Sequence, residues 1–515
     1  MQHAPHPVVT RSEAVRIAVL TATFGLWLVL WALVVPAFQA PDEPAHFDAA
    51  LHVATGSGWP APGTLHVANA VRAAQQEQAS GDASSWSTVG GLLAAHPGDS
   101  ETVDQMTQHP PTAYVADALV LRVLHHGSLR WDHALIGLRL FDAALVTPVA
   151  LLAWATVRRV TRSPRAAVFG ALALFAVPQL ASIGASVSND APVLLFGGLV
   201  VWLASRVLTG DLRRRTLLGL GATLGVLVAT KGTGLPAIPF VALVVLAGGA
   251  GAGGLPLAAR LLRTAGTLAV AAALGAWWWV RNLVVFHTLQ PDGYAAIRPD
   301  RPFPAGEHPS VPHFADVSFG TLARTFWGSP GQRAQVSIGD TLTAVLTVVA
   351  LVVVLGWAFR RGGTAIPAWC LAVFPALLLL LQTVSSAQAY LRTTEVAGTQ
   401  GRYVFPAIVC LVVLSAIAWR RLPLTGAART ATVRVLAIGL PTVGLWGLVV
   451  VSGWFWNAAR GPVSAASVDR YEAAGPVPFA VVVVLAVLVA VGLTVGVQQA
   501  WRVRPVPVSS PSPSR

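Results

Sequence analysis

Residues 15–37 read VRIAVLTATFGLWLVLWALVVPA, and residues 38–47 continue at once with FQAPDEPAHF. The first segment is apolar over enough residues to cross a bilayer as a helix. Its apolar run exceeds the ~7–15 residues of a signal-peptide core, and no A-x-A site follows, so it is read as an uncleaved anchor. Two adjacent carboxylates, Asp42 and Glu43, and the imidazole of His46 then lie where the chain leaves the membrane. A solvated loop needs no such cluster at that depth.

The rest of the chain repeats the apolar pattern. Hydrophobic residues make up 54% and charged residues 11%, against roughly 25% charged in soluble domains. About twelve spans of transmembrane length are expected, near 15–37, 136–157, 166–182, 191–207, 215–230, 234–250, 264–286, 338–358, 364–383, 403–419, 433–453 and 476–500. Unbroken apolar runs exclude lipid-facing barrel strands, which alternate. The expected fold is therefore all-α, a polytopic bundle with helical outer loops.

The net charge of +13 is distributed in a way that rejects nucleic acid as a partner. Arg158-Arg159, Arg213-Arg214-Arg215, Arg360-Arg361 and Arg420-Arg421 fall on the side of the N-terminus, where Glu13 and Asp211 are the only acids. That is the positive-inside pattern. It predicts cytoplasmic termini and long outer segments at 38–135 and 287–337, with shorter ones at 384–402 and 454–475. The expected division is a transmembrane module over 1–453, a last outer loop and helix over 454–500, and a disordered tail over 501–515. Cys370 and Cys410 fall inside apolar segments and support neither a disulfide framework nor a Cys-based metal site.

From Pro44 to Ala54, Phe47, Ala50, Leu51 and Ala54 recur at helical spacing, with His46 and Asp48 off that stripe. This predicts a short interfacial helix, Glu43 at its N-cap and Pro44 first in it. A helix N-terminus favours negative charge, so an ionised carboxylate there can serve as a general base; capping alone is the plainer role. The stretch 56–108, rich in Gly, Ser, Ala and Gln, is expected to be partly mobile. His109-Pro110-Pro111 fixes a rigid entry to the next helix.

Further polar residues punctuate the spans. Asn189 and Asp190 join two apolar segments, as a tight turn or as an acidic complement to Asp42. Lys231, the one lysine, interrupts apolar sequence, where an ionisable group is a functional candidate unless it snorkels. Arg281 closes the Trp277-Trp278-Trp279 helix end, and Arg402 and Tyr403 follow Gly401. Arginine suits bidentate phosphate contact, and Gly401 permits close backbone approach to a ligand. Trp327 offers an aromatic surface for a sugar or a cover over the site. The G-x-G-x-x-G match at Gly249, Gly251 and Gly254 lies in a Gly/Ala linker that follows no predicted strand, so it is not a nucleotide fingerprint, and the histidine spacings form no recognisable metal-ligand set. No cofactor is called for, though a divalent metal stays open.

Taken in order, PDEPAHF, QHPP, SND, TK-G-TG, WWWVRN, FWG and QGRY resemble a bacterial family of predicted membrane proteins with a PDEPAH first-loop motif. That family is similar to the GT-C class of integral-membrane glycosyltransferases. The resemblance implies an outer active site beneath the first loop and a sugar donor carried on a polyprenyl phosphate. It implies a catalytic base in the first loop, matching Asp42 or else Glu43, and a cell-envelope glycan, lipid or protein as acceptor. His46, His109, Asn189, Asp190, Trp327 and Tyr403 would then bind substrate, while Lys231, Arg281 and Arg402 converge on the donor phosphate, with Arg281 and Arg402 the expected pair. Thr112-Ala113-Tyr114 after the prolines departs from the more aromatic continuation of that family. Two other readings stay open: a transporter or flippase of lipid-linked sugars, and a surface-polysaccharide polymerase or ligase. The sequence has no visible internal repeat, which weakens a transporter built from inverted repeats.

Overall fold

The computed structural model describes residues 9–251, 254–293, 300–457 and 464–502. The tail from residue 503 lies outside the described residues, and so does the disorder expected of it. Among the described residues, ten helices are long and apolar enough to cross a membrane: Arg11–Val34, Trp131–Thr161, Asp190–Leu208, Gly232–Ala250, Leu257–Phe286, Asp340–Trp357, Ala365–Thr393, Gly401–Arg421, Gly426–Asn457 and Phe479–Arg502. The expected span 166–182 is a pair, Pro164–Ala176 and Pro178–Gly184, bent by 75°. The bend falls at Pro178, which lacks a backbone donor and crowds the preceding turn. The expected span 215–230 is the 15-residue helix Arg214–Val228, which at 1.5 Å per residue reaches roughly 22 Å and is short for a full crossing.

Small residues set how closely these helices pack. Arg214–Val228 lies against Leu257–Phe286. A Cβ added at Gly221 would stand 2.4 Å from the Thr267 carbonyl oxygen, and one at Gly275 2.3 Å from that of Gly225. Only glycine lets the two backbones touch there.

The first loop departs from expectation. Residues 56–108 are folded, with helices Asn69–Ser80 and Val89–Ala95 and an antiparallel pair of strands, His66–Ala68 with Asp99–Val103. Phe47, Leu51, Val71, Leu92, Trp131 and Leu135 form their own apolar core. The Glu43–Ala54 helix packs inside this unit and does not lie open at an interface. His46 and Asp48, off its apolar stripe, are both buried. Their polarity is satisfied internally, His46 by Tyr114 and Asp48 by the Ala68 N–H at 2.9 Å.

A second device fixes where the loop begins. The last carbonyls of Arg11–Val34 have no helical partner, and side chains from distant segments supply the donors. Arg139 donates to the carbonyls of Ala32, Val35 and Pro36 at 2.6 to 2.8 Å. Trp456 donates to Val34 at 2.8 Å and the Tyr471 hydroxyl to Leu33 at 3.3 Å. The chain therefore leaves the first helix on a clamped path that ends at Asp42.

Candidate active site

Asp42 adopts a left-handed backbone conformation, φ 58° and ψ 8°, and caps the Glu43–Ala54 helix through its backbone, with no side-chain cap bond. The cap is thus one residue earlier than expected, and Pro44 is the second helical residue. A positive φ at a non-glycine residue is uncommon and costs energy. Here it splits the two carboxylates. Glu43 turns inward, fully buried, and takes two parallel hydrogen bonds from Arg139 at 2.7 and 2.6 Å, with a third from the Val187 N–H at 3.2 Å. Glu43, expected as a possible base, is thus saturated by the clamp. Asp42 turns the other way and pairs with Arg402, Oδ2 to Nη2 at 2.8 Å, while Gln105 reaches Oδ1 at 3.4 Å.

Arg402 links Asp42 to a second pair. Its Nη1 stands 3.8 Å from Asp190 Oδ2, and Asp190 Oδ1 accepts from Lys231 Nζ at 2.5 Å. The order Asp42, Arg402, Asp190, Lys231 alternates in sign and draws on four distant segments. Tyr403 lies alongside, its ring 5.9 Å from the Lys231 ammonium and 5.6 Å from the Arg402 guanidinium. Burial pushes the Asp42 carboxyl up, but the Arg402 guanidinium, with His46 and Lys231, outweighs it and holds it below the usual carboxylate range.

Aromatic and imidazole groups form the adjoining wall. The buried Tyr114 hydroxyl accepts from Asn189 Nδ2 at 3.2 Å and meets His46 Nδ1 at 3.0 Å. In the tautomer where Nδ1 accepts the phenolic proton, the ring's own proton sits on Nε2. Desolvation takes His46 down to about 3, so the ring is neutral near pH 7. His109 is likewise lowered to about 3 by burial. Trp59 donates to the His109 carbonyl at 3.2 Å and stacks on Tyr114 at 4.9 Å.

Several buried polar atoms here lack a hydrogen-bond partner: Arg402 Nε and Nη1, Asp190 Oδ2, Asn189 Oδ1 and His109 Nδ1. Buried polar groups are normally paired, so unpaired donors and acceptors gathered among interacting groups suit a polar ligand. Among the described residues, no three His, Cys, Asp or Glu side chains are grouped to hold a metal.

Two expected members stand apart. The Arg281 guanidinium packs over Trp278 at 4.9 Å and Phe286 at 5.3 Å and donates to Asn282. The converging cations are therefore Lys231 and Arg402, and not Arg281 and Arg402. Trp327 donates to Thr347 at 2.9 Å and packs on Phe326. Gly401 packs closely on the Phe326 backbone, where an added Cβ would clash with the Phe326 nitrogen. Arg139 and Tyr114 were not singled out from sequence. Arg139 carried a signal, an arginine inside an apolar span; Tyr114 carried only its place three residues after Pro111.

Fold and site together define a polytopic helical membrane protein with a buried, charge-alternating site under its first loop. The chain belongs to the family described as predicted membrane protein (DUF2142), whose profile matches residues 24–411. No curated protein matches it by sequence. Among solved structures it is similar to ArnT from Cupriavidus metallidurans in the apo state, at 16% identity and TM-score 0.49, over 96% of this chain and 78% of that one. It is also similar to the tethered acceptor-peptide structure of the Archaeoglobus fulgidus oligosaccharyltransferase, at 13% identity and TM-score 0.43, over 96% of this chain and 56% of that one. A third is the S. cerevisiae protein O-mannosyltransferase Pmt1-Pmt2 complex bound to the sugar donor, at 18% identity and TM-score 0.39, over 56% and 36%.

Proposed function

We propose that the chain is an integral-membrane glycosyltransferase of the GT-C kind. It moves a sugar from a polyprenyl-phosphate donor to a cell-envelope acceptor, with inversion, on the extracytoplasmic face of the bacterial plasma membrane. The observation that carries this reading is the meeting of Asp42, Asp190, Lys231 and Arg402, one from each of the PDEPAHF, SND, TK-G-TG and QGRY segments.

In this reading Asp42 takes the proton of the acceptor hydroxyl. The acceptor oxygen forms a bond to the anomeric carbon as the bond to the phosphate oxygen breaks, and polyprenyl phosphate leaves with the electron pair. Arg402 and Lys231 neutralise its growing charge. Arg402 can serve both ends of the reaction, with Nη2 on Asp42 and with Nε and Nη1 lacking a hydrogen-bond partner. A donor phosphate that draws Arg402 toward itself loosens the pair on Asp42 and raises its basicity when a base is needed. His46, neutral near pH 7, and Asn189 contribute hydrogen bonds to substrate hydroxyls.

Binding of polyprenyl phosphate tests the donor site. Arg402→Ala and Lys231→Ala are each expected to weaken it roughly tenfold or more, since a charged hydrogen bond contributes about 1.5–3 kcal/mol. Arg281→Ala leaves it near the wild-type value, because that guanidinium packs elsewhere. Unchanged affinity in Arg402→Ala, or an equal loss in Arg281→Ala, rules the assignment out.

Sidedness is tested separately. In a variant lacking Cys370 and Cys410, an impermeant thiol reagent outside the cell modifies a cysteine at the exposed Ser84 and spares one at the exposed Arg361. The opposite labelling puts Asp42 in the cytoplasm and removes the reading.

A further inference from the structure

A concavity of about 280 Å³ is lined by Arg159, Arg206, Gly210, Asp211 and Arg213. It lies at the far end of the helix that begins with Asp190. Arg206 is roughly 24 Å along that helix from Asp190, at 1.5 Å per residue, so the cavity is separate from the Asp42 site.

The local sequence explains its shape. Gly210, at φ 99°, ends the helix in a left-handed turn. Its N–H bonds the Val207 carbonyl at 3.0 Å, and the Asp211 N–H returns to Arg206 at 2.9 Å. The reversal carries Asp211 back to Arg206, whose Nη2 and Nε reach one carboxylate oxygen at 2.5 and 3.0 Å. Arg213 stays 4.0 Å from the other oxygen, and Arg159 Nε donates to Thr209 at 2.6 Å. Two guanidiniums, Arg206 and Arg213, thus share one carboxylate, and a third, Arg159, lines the same hollow.

A positive-inside bias accounts for arginines at this end of the bundle, but not for their gathering around a hollow. Three other arginines on the same side bond backbone carbonyls. Arg420 bonds Thr161, Arg421 bonds Ala358 and Arg360, and Arg429 bonds Leu422 and Leu424. At ~30 Å³ per water-sized volume, the hollow is large enough for a phosphate group with part of its ester. Guanidinium forks match phosphate oxygens in pairs.

We propose that this hollow is a second anion site, specific for a phosphate group and distinct from the candidate active site. The phosphate comes either from an anionic lipid headgroup or from a free phosphate compound.

The test reads thermal stability of the purified full chain, which a ligand of the folded state raises by mass action. It does not depend on any transfer activity. One arm compares nanodiscs of phosphatidylcholine alone with nanodiscs containing phosphatidylglycerol. The other titrates inorganic phosphate in detergent. Saturable stabilisation in either arm, weakened roughly tenfold by Arg213→Gln and untouched by Arg429→Gln, supports the site. A response confined to phosphatidylglycerol assigns a lipid headgroup, and a response to inorganic phosphate assigns a free phosphate. Arg213 is exposed, so its substitution leaves the fold intact. No saturable shift in either arm overturns the proposal, as does an equal loss in Arg213→Gln and Arg429→Gln, which marks diffuse surface charge.

Discussion

Replacing Asp42 with asparagine abolishes transfer, by the ~10²–10⁴ that a positioned general base contributes, and leaves the protein folded. Both halves of this expectation come from geometry. The Asp42 side chain makes no cap bond, so the helix end loses nothing. Its φ of 58° lies in the left-handed region, which asparagine tolerates better than most residues. The asparagine oxygen can still accept from Arg402, which also keeps Asp190 nearby, at 3.8 Å. The amide has the size of the carboxylate and cannot take a proton. Turnover and melting temperature measured on the same preparation separate the effects. Near-normal turnover excludes Asp42 as the base.

The largest effect on stability is expected at Arg139, the partner of the neighbouring Glu43. Arg139→Leu leaves Glu43 buried without its counter-ion, with only the Val187 N–H beside it, and strips donors from three carbonyls at the end of the first helix. Removing one partner of a buried ion pair costs about 3–5 kcal/mol, a large share of the ~5–15 kcal/mol that holds a protein folded. The variant should give little folded protein in detergent. Glu43→Gln is milder, because an amide still accepts from Arg139, and its turnover per folded molecule stays near wild type. A melting temperature for Arg139→Leu equal to that of the wild type would show that the clamp does not set stability.

The helical bundle was legible because apolar runs and arginine placement are one-dimensional signals. Much of the site was legible too. Asp42, Asp190, Lys231 and Arg402 each interrupt or end an apolar run, where charge is expensive. What sequence could not resolve was direction. Asp42 and Glu43 look interchangeable as neighbours, yet one left-handed residue sends them to opposite partners. Arg281 and Arg402 both read as arginines beside aromatics at span ends. Only packing shows that Trp278 and Phe286 occupy the first while Asp42 takes the second. The 56–108 segment, rich in Gly, Ser, Ala and Gln, reads as partly mobile. Its core is completed by Trp131 and Leu135, from the next span, and no local window contains that contact.

The most direct test is an experimental structure of the chain with polyprenyl phosphate bound. The phosphate density should lie within direct hydrogen-bonding reach of the Arg402 guanidinium and the Lys231 ammonium, roughly 2.7–2.9 Å between nitrogen and oxygen, with Asp42 beside it. Density for the phosphate elsewhere in the protein, with the Arg402–Asp42 and Lys231–Asp190 pairs undisturbed, would contradict the proposed donor site and the mechanism built on it.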